Sequence, residues 1–170
     1  MISQTNDGPD TAIGAIHHVG ITVVDLGRAT AFWERFLGAS SRDRRVLDGP
    51  QVGTMVGYPG IRIDSCWIDL PGGAALELLQ YLGRGDDPYD PGTAHPGNVH
   101  ICLKVADMAS AHAHALACGA RSVSATPIEV KAGPKAGTRL AYLRDPDGVT
   151  IELIQPPPML DSAAGPSCGH

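Results

Sequence analysis

The alternation of apolar and polar residues predicts two similar β-strands, each of which carries a histidine. In residues 16–25 (IHHVGITVVD) the aliphatic side chains share one parity and His18 has the other. Residues 98–107 (NVHICLKVAD) repeat this arrangement around His100. Because successive side chains of a strand point to opposite faces, each strand has an apolar face and an open face that bears a histidine.

Helical spacing predicts a helix directly after each of these strands. Asp25 and Asp107 end the two strands and are suitable N-cap residues. Apolar residues recur at helical spacing in 26–37, and residues 108–118 form an alanine-rich segment that is also followed by a glycine. We expect the apolar stripe of the first helix to pack on the first strand.

The other strands are predicted from runs of apolar and β-branched residues that are bounded by glycine, proline and aspartate. In the first half of the chain they are residues 40–47, 52–56, 61–70 and 74–81, with a turn at 57–60. In the second half they are residues 122–130, 138–144 and 149–155, with a turn at 145–148.

The two halves of the chain form an internal repeat. His18 and His100 are 82 positions apart (100 − 18), and the strand that ends each half carries Glu77 in LELLQ and Glu152 in IELIQ. Each glutamate has aliphatic neighbours on both sides, so we expect both carboxylates to face the same way as the histidines. Any one of these residues, taken singly, is typical of the exposed face of an antiparallel sheet.

Four such residues in symmetric register favour a metal site. A carboxylate among aliphatic residues is costly to bury unless it is paired or binds a metal. If they converge on one concavity, His18, Glu77, His100 and Glu152 would bind a divalent cation and leave open positions for water or substrate.

Length and composition are those of one globular domain. The chain has 170 residues, of which 43% are hydrophobic and 18% charged. We expect a disordered N-terminal tail at 1–15 and a single domain at 16–156. Within it, modules at 16–81 and 98–156 are joined by a polar linker at 82–97, and 157–170 form a flexible tail.

Charge and cysteine content exclude several classes of function. The formal net charge is −5, and aromatic content is 5%, which disfavours a nucleic-acid partner. The four cysteines contain no CxxC pair, so a zinc ribbon is excluded. Residues 1–14 lack the features of a signal peptide, and no apolar run is long enough to span a membrane. We predict a cytoplasmic protein with reduced thiols and no membrane association.

The repeated stretches resemble the vicinal oxygen chelate superfamily, which includes glyoxalase I, methylmalonyl-CoA epimerase, extradiol dioxygenases and bleomycin-resistance proteins. The resemblance lies in residues 17–39 (HHVGITVVDLGRATAFWERFLGA), 75–81, 98–108 and 143–155 (LRDPDGVTIELIQ). It implies an α+β fold of two tandem βαβββ modules that form a cupped, partly open mixed β-barrel. It also implies a homodimer, and one divalent ion (Ni, Co, Zn, Mn or Fe) held by His18, Glu77, His100 and Glu152.

The activity implied by this resemblance is that of a lyase or isomerase of the glyoxalase I or epimerase type. Such enzymes transfer a proton next to a carbonyl through a metal-stabilised enolate, on a small carbonyl or thioester substrate. Glu152 is the expected base, with Glu77 as a ligand or second base. Two alternatives are a non-haem iron dioxygenase of the extradiol type and a non-catalytic small-molecule-binding or resistance protein.

Strand parity and the resemblance also predict residues that contact the substrate. Glyoxalase I binds glutathione through an arginine and an asparagine where this chain has Thr22 and Tyr81, so glutathione is disfavoured. In residues 61–70 we place Trp67 on the helix side, and Arg62, Asp64 and Cys66 on the open face. The complete set of predicted substrate contacts is Thr22, Arg62, Asp64, Tyr81, Cys102, Lys104 and, from a basic loop, Lys135 and Arg139.

Overall fold

A computed structural model describes residues 13–84 and 90–158, which contain two β-sheets and three helices. The predicted N-terminal and C-terminal tails and the middle of the linker lie mostly outside these residues. In the first half the elements are β1 (His18–Thr22), α1 (Leu26–Leu37), β2 (Ser41–Leu47), α2 (Pro50–Val56), β3 (Arg62–Asp69) and β4 (Ala75–Leu82). In the second half they are β5 (His100–Lys104), α3 (Met108–Cys118), β6 (Arg121–Ser122), β7 (Ile128–Glu129), β8 (Arg139–Arg144) and β9 (Thr150–Gln155).

The two sheets have the same topology. The first has the strand order β1-β4-β3-β2, and the second has β5-β9-β8-β6 with β7 also paired to β8. In each sheet the histidine strand runs parallel to the glutamate strand, and the remaining pairs are antiparallel. The predicted α+β fold is therefore confirmed, whereas the arrangement of the modules into a cupped barrel stays a prediction.

The predicted strand at residues 52–56 is wrong, because these residues belong to helix α2. Pro50 begins this helix, where its fixed φ is favourable, and Gly57 ends it with a left-handed φ of 77°. Because Gly53 has no side chain, the turn after the helix can approach it closely. A Cβ atom at this position would lie only 2.8 Å from the carbonyl oxygen of Tyr58. A short apolar run does not distinguish a strand from a helix by its period.

The single strand predicted at residues 122–130 is also wrong. It is divided into β6 and β7, each of two residues, with bends between them. Here Ser122 Oγ donates to the carbonyl of Ser124 at 2.7 Å, and Ser124 Oγ donates to that of Thr126 at 2.9 Å. Such local side-chain bonds to the backbone compete with strand pairing.

In each sheet the aliphatic side chains next to the glutamate are buried on one face, as the alternation predicts. In the first sheet the fully buried positions include Cys66, Ile68, Leu76 and Leu78, and in the second they include Leu143, Ile151 and Leu153. Residues that lie directly opposite each other on paired strands share a face. The buried neighbours of Glu77 and Glu152 therefore turn these two carboxylates toward the opposite, open face of their sheets.

In each half, a glutamine on the glutamate strand forms a hydrogen bond to the first residue of a helix. Gln80 Oε1 accepts a hydrogen bond from the backbone N–H of Leu26 at 3.0 Å, and Gln155 Oε1 accepts one from that of Met108 at 2.8 Å. Both glutamines follow a glutamate by three residues and thus lie on the other face. At α3 the Asp107 side chain also accepts from the N–H of Ser110 at 2.8 Å, which confirms its predicted N-cap role.

The described residues group into two compact units, and α1 does not remain with the strand that precedes it. The first unit contains residues 13–26 and Leu37–Arg84, whereas Gly27–Phe36 groups with residues 90–158 in the second unit. His114 Nε2 is 3.1 Å from the carbonyl oxygen of Arg35, and Arg35 Nη2 donates to that of Cys118 at 3.1 Å. These contacts satisfy carbonyls that the helix ends leave without intrahelical partners.

No helix among residues 13–84 and 90–158 is both long and apolar enough to cross a membrane. Within the same residues Cys66, Cys102 and Cys118 are not joined in disulfides.

The predicted turn at residues 145–148 is confirmed, and a buried aspartate organises it. Asp145 is fully buried, and its Oδ1 accepts from the backbone N–H groups of Asp147 at 2.9 Å and Val149 at 2.8 Å. Burial, together with the charge of Asp147, raises the pKa of the Asp145 carboxyl and outweighs the hydrogen bonds from the two backbone groups and the Trp33 side chain, which lower it.

Replacing Gln155 by alanine should lower the free energy of unfolding by about 0.5–2 kcal/mol, because the first N–H of α3 loses its acceptor. Gln155→Glu keeps an acceptor and adds a negative charge at the helix N-terminus, so it should retain stability. Urea denaturation followed by circular dichroism measures both. Equal losses in the two variants would contradict this role.

Asp145→Asn should be at least as stable as the wild type at pH 7, whereas Asp145→Ala should lose about 1–3 kcal/mol because two backbone donors become unsatisfied. A raised pKa means that the folded state retains the proton to higher pH than the unfolded state does. The contribution of Asp145 to wild-type stability therefore falls as pH rises from the ordinary value of 3.8 through the folded pKa, and the asparagine variant lacks this contribution. Urea midpoints between pH 3 and pH 8 test this difference.

Candidate functional site

His18 and Glu77 lie side by side on the open face of the first sheet. In the parallel pair β1–β4, Gly20 is opposite Glu77 and His18 is opposite Ala75, so all four share one face. His18 Nε2 is 3.4 Å from Glu77 Oε2.

The second sheet repeats this arrangement with His100 and Glu152. In the parallel pair β5–β9, Cys102 is opposite Glu152 and His100 is opposite Thr150. His100 Nε2 is 3.0 Å from Glu152 Oε2. Each half of the chain thus brings together the histidine and the glutamate that the internal repeat singled out.

The carboxylates in these pairs are shielded, whereas the imidazoles are open. The side chains of both glutamates are 15% exposed, while those of His18 and His100 are 38% and 43% exposed. A carboxylate held at this depth needs a cationic or hydrogen-bonding partner. The histidine supplies that partner within each pair, and its exposed edge leaves room for a ligand.

The donor atoms of each pair are spaced as two ligands of one cation would be. With metal–ligand bonds of about 2.0–2.2 Å, neighbouring ligand atoms lie about 3–3.5 Å apart. The nitrogen–oxygen distances of 3.4 Å and 3.0 Å fall within this range. Within the part of the chain that the structure describes, no three His, Cys, Asp or Glu side chains form a group that could hold a metal. Each pair therefore fits half of the four-residue donor set.

His17, to which the sequence assigned no role, orients His18. Their Nδ1 atoms are 2.8 Å apart, so one ring nitrogen donates to the other. With Nδ1 of His18 engaged in this way, Nε2 is the nitrogen that faces Glu77. Metal-binding histidines are commonly oriented through their second ring nitrogen.

The face assignment of strand β3 is wrong and must be reversed. Trp67 is directly opposite Glu77 on β4 and therefore lies on the open face, where its ring is 5.0 Å from that of His18. Arg62, Asp64 and Cys66 have the other parity and lie on the face of Leu76 and Leu78.

The contacts of these three residues agree with the reversed assignment. Cys66 is fully buried, and Asp64 accepts a hydrogen bond from Arg44 Nη2 at 2.9 Å. Arg62 is exposed at the end of the strand. The alternation of apolar and polar residues gave the wrong faces because this strand is buried on both of them. Ile63 and Ser65 on the open face are as buried as Cys66 and Ile68 on the other.

Tyr142 occupies the corresponding place in the second sheet. It is directly opposite Glu152, and its ring centroid is 5.4 Å from that of His100. The internal repeat contained the signal for both aromatic residues, since Trp67 and Tyr142 each precede a glutamate by ten positions (77 − 67 and 152 − 142).

Two weak acids next to Glu152 are kept protonated. Partial burial, together with the charge of Glu152 and a hydrogen bond to it, raises the pKa of the Cys102 thiol to about 11. Burial and the same carboxylate also raise the pKa of the Tyr142 hydroxyl. Glu77 has a different surrounding, formed by Gly20 on one side and Trp67 on the other.

The remaining predicted substrate contacts fall into two groups. Thr22 and Tyr81 share the open face with Glu77, and Lys104 shares that of His100. Lys135 lies in an exposed turn.

Arg139 does not belong to a free basic loop. It begins β8 on the face opposite to Glu152, and its Nε is 3.4 Å from Glu129, which Lys131 also contacts at 3.0 Å. Arg139 and Lys131 share the single negative charge of Glu129, so both cations of these ion pairs already have an acidic partner.

Comparison with known proteins identifies the family of this chain. The model of the Glyoxalase/Bleomycin resistance protein/Dioxygenase superfamily matches residues 17–142. Lactoylglutathione lyase of Pseudomonas putida is 28% identical over 164 residues, which are 89% of this chain and 90% of that protein. Mitochondrial methylmalonyl-CoA epimerase of Homo sapiens is 32% identical over 148 residues, which are 84% of this chain and 74% of that protein.

The fold is likewise that of solved structures. A glyoxalase family protein from Bacillus cereus superposes with a TM-score of 0.72 at 21% identity, covering 87% of this chain and 97% of the other. The match of the family model over most of the chain and the 32% identity with the epimerase show that this chain belongs to the glyoxalase/bleomycin resistance/dioxygenase superfamily.

Proposed function

We propose that this protein is a divalent-metal-dependent lyase or isomerase that transfers a proton next to a carbonyl group. The observation that carries the proposal is the pair of shielded carboxylates, Glu77 and Glu152, each next to an exposed imidazole on the open face of its sheet. The related lyases and epimerases support this class of reaction. The substrate would be a small carbonyl compound or thioester.

His18, Glu77, His100 and Glu152 would hold the metal ion. Two neutral imidazoles and two carboxylates suit nickel, cobalt, zinc, manganese or iron, and the two carboxylates balance the charge of the cation. When bound, such an ion acts as a Lewis acid toward the negative charge that develops on a carbonyl oxygen. We also propose that the protein acts as a homodimer in the cytoplasm.

Glu152 is the better candidate for the base. Its carboxylate is held on one side by His100 and on the other by the protonated thiol of Cys102. These neighbours fix its position and limit its access to water, which favours proton transfer to and from a substrate carbon. After taking the proton, Glu152 would return it to the same carbon or to its neighbour. Glu77 also has an imidazole beside it, that of His18, but a glycine stands opposite it where Glu152 has Cys102, and it would serve as a ligand or second base.

Trp67 and Tyr142 would shield the reacting carbon. Each aromatic residue is the cross-strand partner of one of the two glutamates, and its ring lies next to the corresponding histidine. In this position the rings exclude water from the carboxylates and offer an apolar surface to the substrate. The hydroxyl of Tyr142 stays protonated at neutral pH and remains available as a hydrogen-bond donor.

The purified protein should contain a divalent metal ion, and His100→Ala or Glu77→Ala should lower its metal affinity at least about 100-fold, because each removes a ligand. Elemental analysis and titration of the metal-free protein measure this. His114→Ala is the matched control, since His114 contacts helix carbonyls and should leave metal binding unchanged. Full metal content in both ligand variants would refute the site.

Glu152→Gln should lower kcat by about 10²–10⁴-fold, because it removes the proton acceptor. The assay follows deuterium incorporation from D₂O into methylmalonyl-CoA and into the hemithioacetal of methylglyoxal and glutathione. Glu129→Gln, a carboxylate of the same unit that binds Lys131 and Arg139, should retain full activity. If Glu152→Gln exchanged deuterium as fast as wild type, Glu152 would not be the base.

A further inference from the structure

Two arginines face each other directly across neighbouring strands of the second sheet. Arg121 on β6 is the cross-strand partner of Arg144 on β8. Like charges in directly opposed positions of an antiparallel pair destabilise the sheet. A pair of this kind calls for a compensating negative charge.

Both arginines lie on the open face, with His100 and Glu152. The adjacent pair, Ser122 and Leu143, faces the helix side, since Ser122 Oγ is 2.9 Å from His112 Nε2 on α3. Arg121 and Arg144 therefore face the other way. Arg144 is also opposite Thr150, which is in turn opposite His100, so these residues form one row across the four strands.

The compensating charge does not come from the described part of the chain. Neither arginine forms an ion pair with an acidic side chain of residues 13–84 or 90–158, although Arg28 binds Asp147 and Arg139 binds Glu129. Arg144 donates a hydrogen bond to the hydroxyl of the buried Thr150, which holds the guanidinium on this row. The two guanidinium groups thus remain available for an external anion.

The row from His100 to Arg121 fixes how far such an anion would bind from the proposed metal site. Adjacent strands are about 4.8 Å apart, so the backbone of Arg144 is about 10 Å and that of Arg121 about 14 Å from that of His100. Arg144 is half-buried and Arg121 is exposed, so the pair extends from the interior of the open face to its edge. A substrate that reacts beside His100 and carries an anion several bonds away would reach both.

We propose that Arg121 and Arg144 form a clamp for an oxyanion group of the substrate, remote from its reacting carbon. This inference rests on the proposed function, because it assigns the anion to the substrate of that reaction. Guanidinium groups bind carboxylates and phosphates in a bidentate manner, so either group fits the clamp. An anion bound between the two arginines would also remove their mutual repulsion.

Titration calorimetry of the full-length protein in EDTA, with malonate, inorganic phosphate and coenzyme A as separate probes, tests the clamp. At least one probe should bind to the wild type, and its affinity should fall with added salt. Arg121→Gln and Arg144→Gln should each weaken that binding about 10-fold or more, as expected for the loss of a charge-assisted hydrogen bond. A preference for malonate identifies a carboxylate on the substrate acid, and one for coenzyme A or phosphate identifies a phosphate on a carrier.

Arg139→Gln is the matched control, since it removes the same charge from the same strand but on the opposite face. Its affinity for the probe should stay within about twofold of that of the wild type. Three results would each overturn the inference. They are an equal loss of probe affinity in this control, unchanged probe binding in both clamp variants, and a wild type that binds none of the three probes.

Thermal unfolding provides a second readout. The probe should raise Tm in the wild type and in Arg139→Gln but much less in the double variant Arg121→Gln/Arg144→Gln. Because these measurements need neither metal nor turnover, the clamp can hold even if Glu152 proves not to be the base. Conversely, loss of activity in Glu152→Gln together with unchanged anion binding in the clamp variants would refute the clamp alone.

Discussion

The rest of the structure depends on one constraint. A histidine strand pairs in parallel with a glutamate strand, and the aliphatic residues on both sides of the glutamate are buried on the face opposite to it. Leu76 and Leu78, like Ile151 and Leu153, are almost completely buried. Because side chains alternate along a strand, the residue between each aliphatic pair must point to the other face. A shift of one residue in register would bury a carboxylate without a partner, so the core fixes the position of each glutamate.

The glutamines three positions further on reinforce this orientation. Gln80 and Gln155 accept the first backbone N–H group of α1 and α3 and so tie the helix-facing side of each glutamate strand to a helix start. The same short sequence thus supplies core residues, a carboxylate for the open face and a helix-capping acceptor. This explains why the two halves resemble each other most closely in LELLQ and IELIQ.

The two halves have the same frame but different chemical surroundings at their carboxylates. Beside Glu77 lie a glycine on one neighbouring strand and Trp67 on the other. Beside Glu152 lie a thiol and a phenol that both remain protonated, and the row of Thr150 and Arg144 continues from His100. In the proposed reaction, this asymmetry would suit a division of roles: the first half would mainly supply metal ligands, and the second half would move the proton and orient the substrate.

The sequence by itself determined the order of most elements, the internal repeat and the four histidine and glutamate residues, because period and capping are local properties. Helix α1 begins and ends where its spacing predicts, at Leu26 and Leu37. Tertiary structure decided what local pattern could not. It turned residues 52–56 into a helix, grouped α1 with the second unit and reversed the faces of β3, since burial on both faces hides the period of that strand. Strand register alone brought Trp67 to Glu77, Tyr142 to Glu152 and Arg121 to Arg144, because cross-strand neighbours are set by pairing and not by distance along the chain.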